Sequence, residues 1–196
     1  MKKKPNKLGN TSLNINDKLI KRCRENDREA QFEIYKIYYR QMYNTSLRIV
    51  NNTAEAEDIM QESFLDAFRK IGDYTGQGDF GGWLRRIVVN NSLDTLKKRR
   101  PEVELDENYS GMTDEEDDAT ANIEYRIEEI RKAISLLPDS YRIIISLFLL
   151  EGYDHEEIAQ ILNISYGASR TRFSRARQKL LSVLSEQRTI KVINPN

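Results

Sequence analysis

Between Glu102 and Glu124 the chain places ten acidic residues and no lysine or arginine, and this segment limits the fold more than any other feature. "EVELDENYSGMTDEEDDATANIE" is too polar and too uniformly charged to join a packed core, so it reads as a disordered tether. The chain must then fold on either side of it. Residues 1–101 hold 20 Lys+Arg against 13 Asp+Glu, and residues 125–196 hold 11 against 8, so a formal net charge of zero conceals two basic pieces flanking an acidic one. A length of 196 residues suffices for two small domains.

Both flanking pieces carry a helical period. From Asp17 to Val50, Leu19, Ile20, Cys23, Phe32, Ile34, Tyr35, Tyr38, Tyr39, Met42, Tyr43, Leu47 and Val50 recur at helical spacing, with a break at Arg24 to Asp27. The tyrosines are expected to line the core. In "TAEAEDIMQESFLDAFRKI" the stripe Ala56, Met60, Ser63, Phe64, Ala67, Phe68, Ile71 faces inward, and Glu57, Asp58, Gln61, Glu62 and Asp66 face outward.

Five of the nine glycines then fall within Gly72 to Gly82, ahead of Trp83 and a helix ending in Lys97, Lys98, Arg99 and Arg100. Glycine permits sharp turns and close approach of a ligand, and such a loop beside four cations suits something planar and anionic. The alternative is a plain turn beside a core tryptophan. Four consecutive cations exceed what a helix dipole requires.

In the last piece Ile123, Ile127, Ile130, Ile134 and Leu137 mark a helix stopped by Pro138, and Tyr141 to Leu150 is apolar enough to be buried throughout. Asp154 and Glu157 form a capping-box pattern before "HEEIAQIL", and Ser165 is placed to cap the segment after the short turn Asn163 to Ser165. Two helices joined so tightly form a helix-turn-helix, whose second helix enters the major groove. That second helix, "SYGASRTRFSRARQKL", has no acid. At about 100° per residue, Phe173, Ala176, Leu180 and Leu184 pack inward. Thr171, Arg175 and Gln178 lie opposite, flanked by Arg172 and Lys179 on one edge and Arg170 and Ser174 on the other. Arginines there suit guanine or phosphate contacts.

Several classes are excluded. No run approaches the roughly 20 apolar residues of a bilayer span, and the basic start has no apolar segment of a signal peptide, so no membrane insertion is expected and the cytoplasm is the expected compartment. A single Cys23 and a single His155 allow neither a disulfide nor a zinc site of about four ligands. A metal nuclease needs converging carboxylates, and the densest, Asp114 to Asp118, lie in the tether. No cofactor, metal or catalytic residue is expected, and the chain does not read as an enzyme.

Together these segments resemble a bacterial RNA polymerase sigma factor of the extracytoplasmic-function (ECF) group of the sigma-70 family. "AEDIMQESFLDAFRKI" is similar to region 2.2, "FGGWLRRIVVNNSLDTLKKRR" to regions 2.3 and 2.4, and "HEEIAQILNISYGASRTRFSRARQKLL" to region 4.2. The implied fold is all-α: a basic tail (1–16), a region 2 helical bundle (17–100), an acidic flexible linker (101–122), a region 4 helix-turn-helix domain (123–188) and a short tail (189–196).

The resemblance also implies roles. Asp58, Gln61 and Glu62 would meet the clamp helices of the largest subunit of core RNA polymerase, and the helices around Tyr141 to Leu150 the flap of the other large subunit. Tyr74 to Phe80, Trp83 and the face bearing Asn90 would take a base flipped from the −10 element of promoter DNA, with Lys97, Lys98, Arg99 and Arg100 along its backbone. Arg170, Thr171, Ser174 and Arg175, with Arg172 and Lys179 beside them, would read the −35 element. An anti-sigma factor is a further implied partner.

Two positions depart from the family pattern. Ser169 stands where a β-branched apolar residue is common, and His155 where an aromatic is frequent; His155 is expected at the surface or as a cap, without chemistry. A conventional helix-turn-helix regulator would account for the C-terminal piece but not for "AEDIMQESF" or the glycine loop.

Overall fold

A computed structural model describes residues 17–99 and 127–193, with side chains as far as Gln187. The expected basic tail 1–16, Arg100, the linker 101–122 and Ile123 lie outside the described residues. Every regular element among the described residues is helical, and they divide between two compact units with the division after Thr95.

The first unit contains α1 (17–24), α2 (Arg28–Val50), α3 (Thr53–Arg69), a single 3-10 turn (Ile71–Asp73) and α4 (Phe80–Arg99) up to Thr95, the last turn of α4 falling beyond the division. The break expected at Arg24 to Asp27 is a tight turn with Asn26 in the left-handed region (φ 57°) and Asp27 accepting from the amides of Glu29 and Ala30. Such a cap is worth about 1 kcal/mol. Asn51 (φ 55°) ends α2, and Asn52 caps α3 through the amide of Glu55. Ile34, Met42, Phe64, Ala67, Leu84 and Val88 lie at the centre of the core. Small polar residues join α4 to α2 and α3. Ser46 and Ser92 are fully buried and hydrogen-bonded to each other at 3.1 Å, while Asn91 donates to Ser63 (3.1 Å) and Asp66 (3.2 Å). A satisfied buried polar pair of this kind fixes helix register more than it adds stability.

The second unit contains α5 (Ile127–Ser135), α6 (Asp139–Ile145) continuing as a π-turn (Ser146–Leu150), α7 (His155–Leu162) and α8 (Tyr166–Ile193). α8 packs on α5, α6 and α7, and it runs past Arg188 into the segment expected as a tail. Burial of Tyr141 to Leu150 is incomplete: Ile143 to Leu147 are inside, but Leu149 is 52% and Leu150 38% exposed. Both lie in the π-turn. Arg142 is buried as well, held by Asp139 at 2.8 Å and by the carbonyl of Leu137.

Candidate nucleic-acid and polymerase interfaces

The glycine loop is built on an aromatic base. Tyr74, Phe80 and Trp83 form a triangle with ring centroids 5.3 to 5.5 Å apart. Tyr74 and Phe80 are 6% and 2% exposed, so they support the loop from inside and do not offer ring faces to a base, contrary to expectation. Each ring is satisfied by the others, which is why an aromatic cluster beside glycines reads as a ligand platform and folds as a core. Trp83 is half-buried on the same cluster.

What the loop exposes is Thr75 to Asp79. Gly76 and Gly78 adopt φ 79° and 85°, a conformation that side chains rarely tolerate. Three bonds hold this shape: the Tyr74 hydroxyl donates to the carbonyl of Gly78 (2.8 Å), the Asp79 carboxylate accepts from the Gly82 amide (3.0 Å), and the Arg24 guanidinium donates to the carbonyl of Tyr74. Burial, with Asp17 and Asp79 adding to it and Arg24 opposing, raises the Tyr74 phenol above its ordinary pKa and keeps it a donor. Neither Arg24 nor Asp79 was legible as a loop anchor, because the first bond spans fifty residues and the second depends on the turn.

α4 leaves this loop with Trp83 and Asn90 two turns apart on one side. Asn90 is exposed, whereas its neighbour Asn91 is half-buried and ties α4 to α3. Arg86, exposed between them in height, joins that side without having been singled out. Lys97, Lys98 and Arg99 are exposed at the C-terminal end of α4, where the helix dipole favours cations.

On α3, Asp58, Gln61 and Glu62 are all exposed, as expected. Glu62 pairs with Arg69 at 3.2 Å, an exposed contact of little strength. Leu65 is 50% exposed on the same face, and its place one turn beyond Gln61 and Glu62 was the available signal. Beside this face a groove of about 460 Å³ is lined by Tyr35, Tyr39, Tyr43, Met60 and Glu57. Those three tyrosines are half-buried at its wall and pack against the core, and Tyr38 is buried within it, so all four of α2 line the core as expected.

In the second unit the helix-turn-helix is capped at both helix starts. Asp154 accepts from the amides of Glu156 and Glu157, and Glu157 returns a carboxylate to the Asp154 amide, a complete capping box. Asn163 (φ 54°) ends α7, and the Ser165 hydroxyl accepts from the Ala168 amide to start α8. Arg170, Ser174, Arg177, Gln178 and Lys179 are exposed; Thr171 and Arg175 are half-exposed. Arg172 differs from expectation. It is 9% exposed and lies in the buried row Ser169, Arg172, Ala176, Leu180, so it is not on the outer surface.

The two departures meet. His155 is half-buried, not a free surface residue: its ring stacks on Phe148 at 4.6 Å, stands edge-on to Phe173 at 5.4 Å, and its Nδ1 lies 3.1 Å from the hydroxyl of fully buried Ser169. A polar ring and a polar partner thus replace two apolar side chains at the junction of α7 and α8. Burial lowers the His155 pKa below its ordinary value, with Arg170 adding to the effect and Asp154 opposing it.

The family profile described as "Sigma-70 region 2" matches residues 34–102, and "Sigma-70, region 4" matches residues 127–180. The chain is similar to the ECF RNA polymerase sigma factor SigW of Bacillus subtilis, with 32% identity over 181 residues covering 86% of this chain and 96% of the relative. It is 31% identical over 173 residues to the ECF RNA polymerase sigma-E factor of Haemophilus influenzae, covering 83% and 91%. Among solved structures, the sigma factor RpoE of Bartonella quintana, in complex with the anti-sigma factor NepR, shares 22% identity at a TM-score of 0.55, covering 78% of this chain and 95% of that one. CnrH, in complex with the cytosolic domain of CnrY, shares 21% at 0.54, covering 86% and 96%. These two likenesses are of fold.

Proposed function

Because the chain belongs to the ECF group of the sigma-70 family, we propose that it is an alternative sigma factor that binds core RNA polymerase, directs it to −35 and −10 promoter elements and helps melt the −10 element. The observation that carries this reading is the order on one chain of an exposed acidic face on α3, a glycine loop leading into a cation-ended helix, and a doubly capped helix-turn-helix with an acid-free recognition segment. Residues 17–100 and 123–188 act as the region 2 and region 4 domains, and 101–122 as the linker that sets their reach.

Asp58, Gln61 and Glu62, with Leu65 among them, form the face for the clamp helices. Exposed Leu149 and Leu150 suit a second contact with the flap. Extruding a base costs a few kcal/mol of stacking; the exposed backbone of Thr75 to Asp79 and the amide of Asn90 offset that cost, over the support of Tyr74, Phe80 and Trp83. Lys97 to Arg100 neutralise the adjoining phosphates. Arg170, Thr171, Ser174 and Arg175 reach the −35 major groove, with Lys179 at its edge and Arg172 holding α8 from the inside. Bond-making belongs to the polymerase, and the chain works in the bacterial cytoplasm. An anti-sigma factor covering these surfaces would keep it from the polymerase.

The test pairs two variants. Arg175→Ala should reduce −35-dependent transcription about tenfold, as expected for one good base contact, and leave core binding intact. Gln61→Ala with Glu62→Ala should weaken core binding. Equal loss for Arg175→Ala on promoters lacking a −35 element would contradict the first role, and undiminished core affinity would contradict the second.

A further inference from the structure

Arg22 and Arg24 stand two residues apart at the end of α1 and do different work. Arg22 pairs with Asp27 and Glu29 and closes the turn into α2. Arg24 reaches across to donate to the carbonyl of Tyr74, at the entrance of the glycine loop. Its backbone is fixed because the preceding Cys23 is fully buried and Ile20 is 5% exposed, both within the first unit's core. Between its ends the loop has little to hold it. Gln77 bonds Thr75 only at 3.4 Å, Gly76 and Gly78 have positive φ, and Thr75 to Asp79 are exposed. The far end is tied through Asp79 and Gly82, and the Tyr74 hydroxyl closes the loop on Gly78. Removing the Arg24 bond would leave Tyr74 held by its ring and its hydroxyl bond to Gly78 but its carbonyl able to rotate, which changes where the exposed amides of the loop point.

We propose that Arg24 is a positioning residue for −10 recognition: its guanidinium, held on the Tyr74 carbonyl, fixes the shape of the loop that receives the extruded base. This rests on the reading that the loop receives that base. A bond from a charged donor is worth about tenfold or more when buried and a few-fold where solvent screens it, as at exposed Arg24, and misplacement of a preorganised site is felt selectively. The effect belongs in discrimination between bases, because a wrongly shaped pocket loses its preferred base more than the others.

The experiment uses holoenzyme reconstituted with core polymerase, and nontemplate-strand −10 oligonucleotides carrying each of the four bases at the captured position, titrated at several salt concentrations. For Arg24→Ala the spread of affinities among the four bases should shrink about threefold to tenfold, with the slope of affinity against salt unchanged; Arg24→Lys, which keeps a donor, should restore part of the spread. A uniform loss for all bases with a salt slope reduced by about 0.7 would make Arg24 a phosphate contact and overturn the proposal. So would an unchanged spread, or a loss that follows a fall in the urea midpoint reported by Trp83 fluorescence. A wild-type holoenzyme that shows no preference among the four bases would overturn the reading of the loop itself, and this inference with it.

Discussion

Gly81 and Gly82 are adjacent in the first turn of α4, yet alanine should affect them in opposite directions. A Cβ on Gly81 would lie 2.9 Å from the Asp79 carboxylate and 2.9 Å from the Tyr38 ring. Neither neighbour yields easily: Asp79 binds the Gly82 amide, and Tyr38 is 8% exposed and packed on Phe80. Displacing the carboxylate costs about 1 kcal/mol and crowding the ring about 1–3 kcal/mol, against about 1 kcal/mol gained from alanine's helix propensity. Gly81→Ala should therefore destabilise the first unit by about 1–3 kcal/mol. At Gly82 the new Cβ meets nothing closer than 3.9 Å, so Gly82→Ala should be neutral or stabilising by up to about 1 kcal/mol. Trp83 is the only tryptophan in the sequence and packs within this cluster, so its fluorescence in a urea titration reports on this unit. With a urea slope of about 1–2 kcal/mol per molar, the two variants should separate by about 0.5–4 M in midpoint. Coincident midpoints would refute the packing argument, and a Gly81→Ala protein as stable as wild type would refute the assignment of Asp79 as a fixed loop anchor.

Three further outcomes are expected. His155 has a folded pKa below its unfolded value near 6.5, so the unfolded chain takes up the proton first; stability from this residue is full above about pH 6.5 and falls as pH drops through and below it. Thermal melts should show His155→Phe losing less stability than wild type between about pH 7 and pH 5, and parallel curves would contradict the buried setting. Asp154→Ala leaves two amides of α7 without their acceptor and should cost about 1 kcal/mol, measurable as a lowered melting temperature of the second unit with the Trp83 signal unchanged; a shift in the Trp83 signal instead would contradict the local role. Cys23 is fully buried, and burial pushes its thiol up to about 11, so maleimide labelling near neutral pH should be slow in native protein and rapid in urea. Rapid native labelling would show that α1 does not pack as described.

Much of the fold was legible because local signals and packing agreed. The break before Asp27, the capping box at Asp154 and the Ser165 cap are each satisfied within a few residues, so spacing alone announces them. The acidic face of α3 is legible for the same reason, since Asp58, Gln61 and Glu62 recur at one helical angle. What spacing could not show depends on residues far apart. His155 and Ser169 look like two unrelated departures until the turn between α7 and α8 brings them to 3.1 Å. Arg172 carries a charge that places it outside on a helical wheel, but it shares the buried row with Ser169 and Ala176. Tyr74 and Phe80 satisfy each other's ring faces, so their chemistry suggested a ligand where their packing makes a core. Leu65, Leu149 and Leu150 show the converse, because apolar residues are permitted outside and their apolar character alone did not announce their exposure.

The most direct test of the central claim is co-elution of the purified chain with sigma-free bacterial core polymerase, followed by transcription in vitro from a pool of promoter fragments. A sigma factor should give a stable 1:1 complex, start sites that share two spaced elements, and weak DNA binding by the chain without core. Failure to bind a cognate core, with sequence-specific duplex binding by the chain alone, would contradict it and remove the roles proposed for Asp58, Gln61 and Glu62.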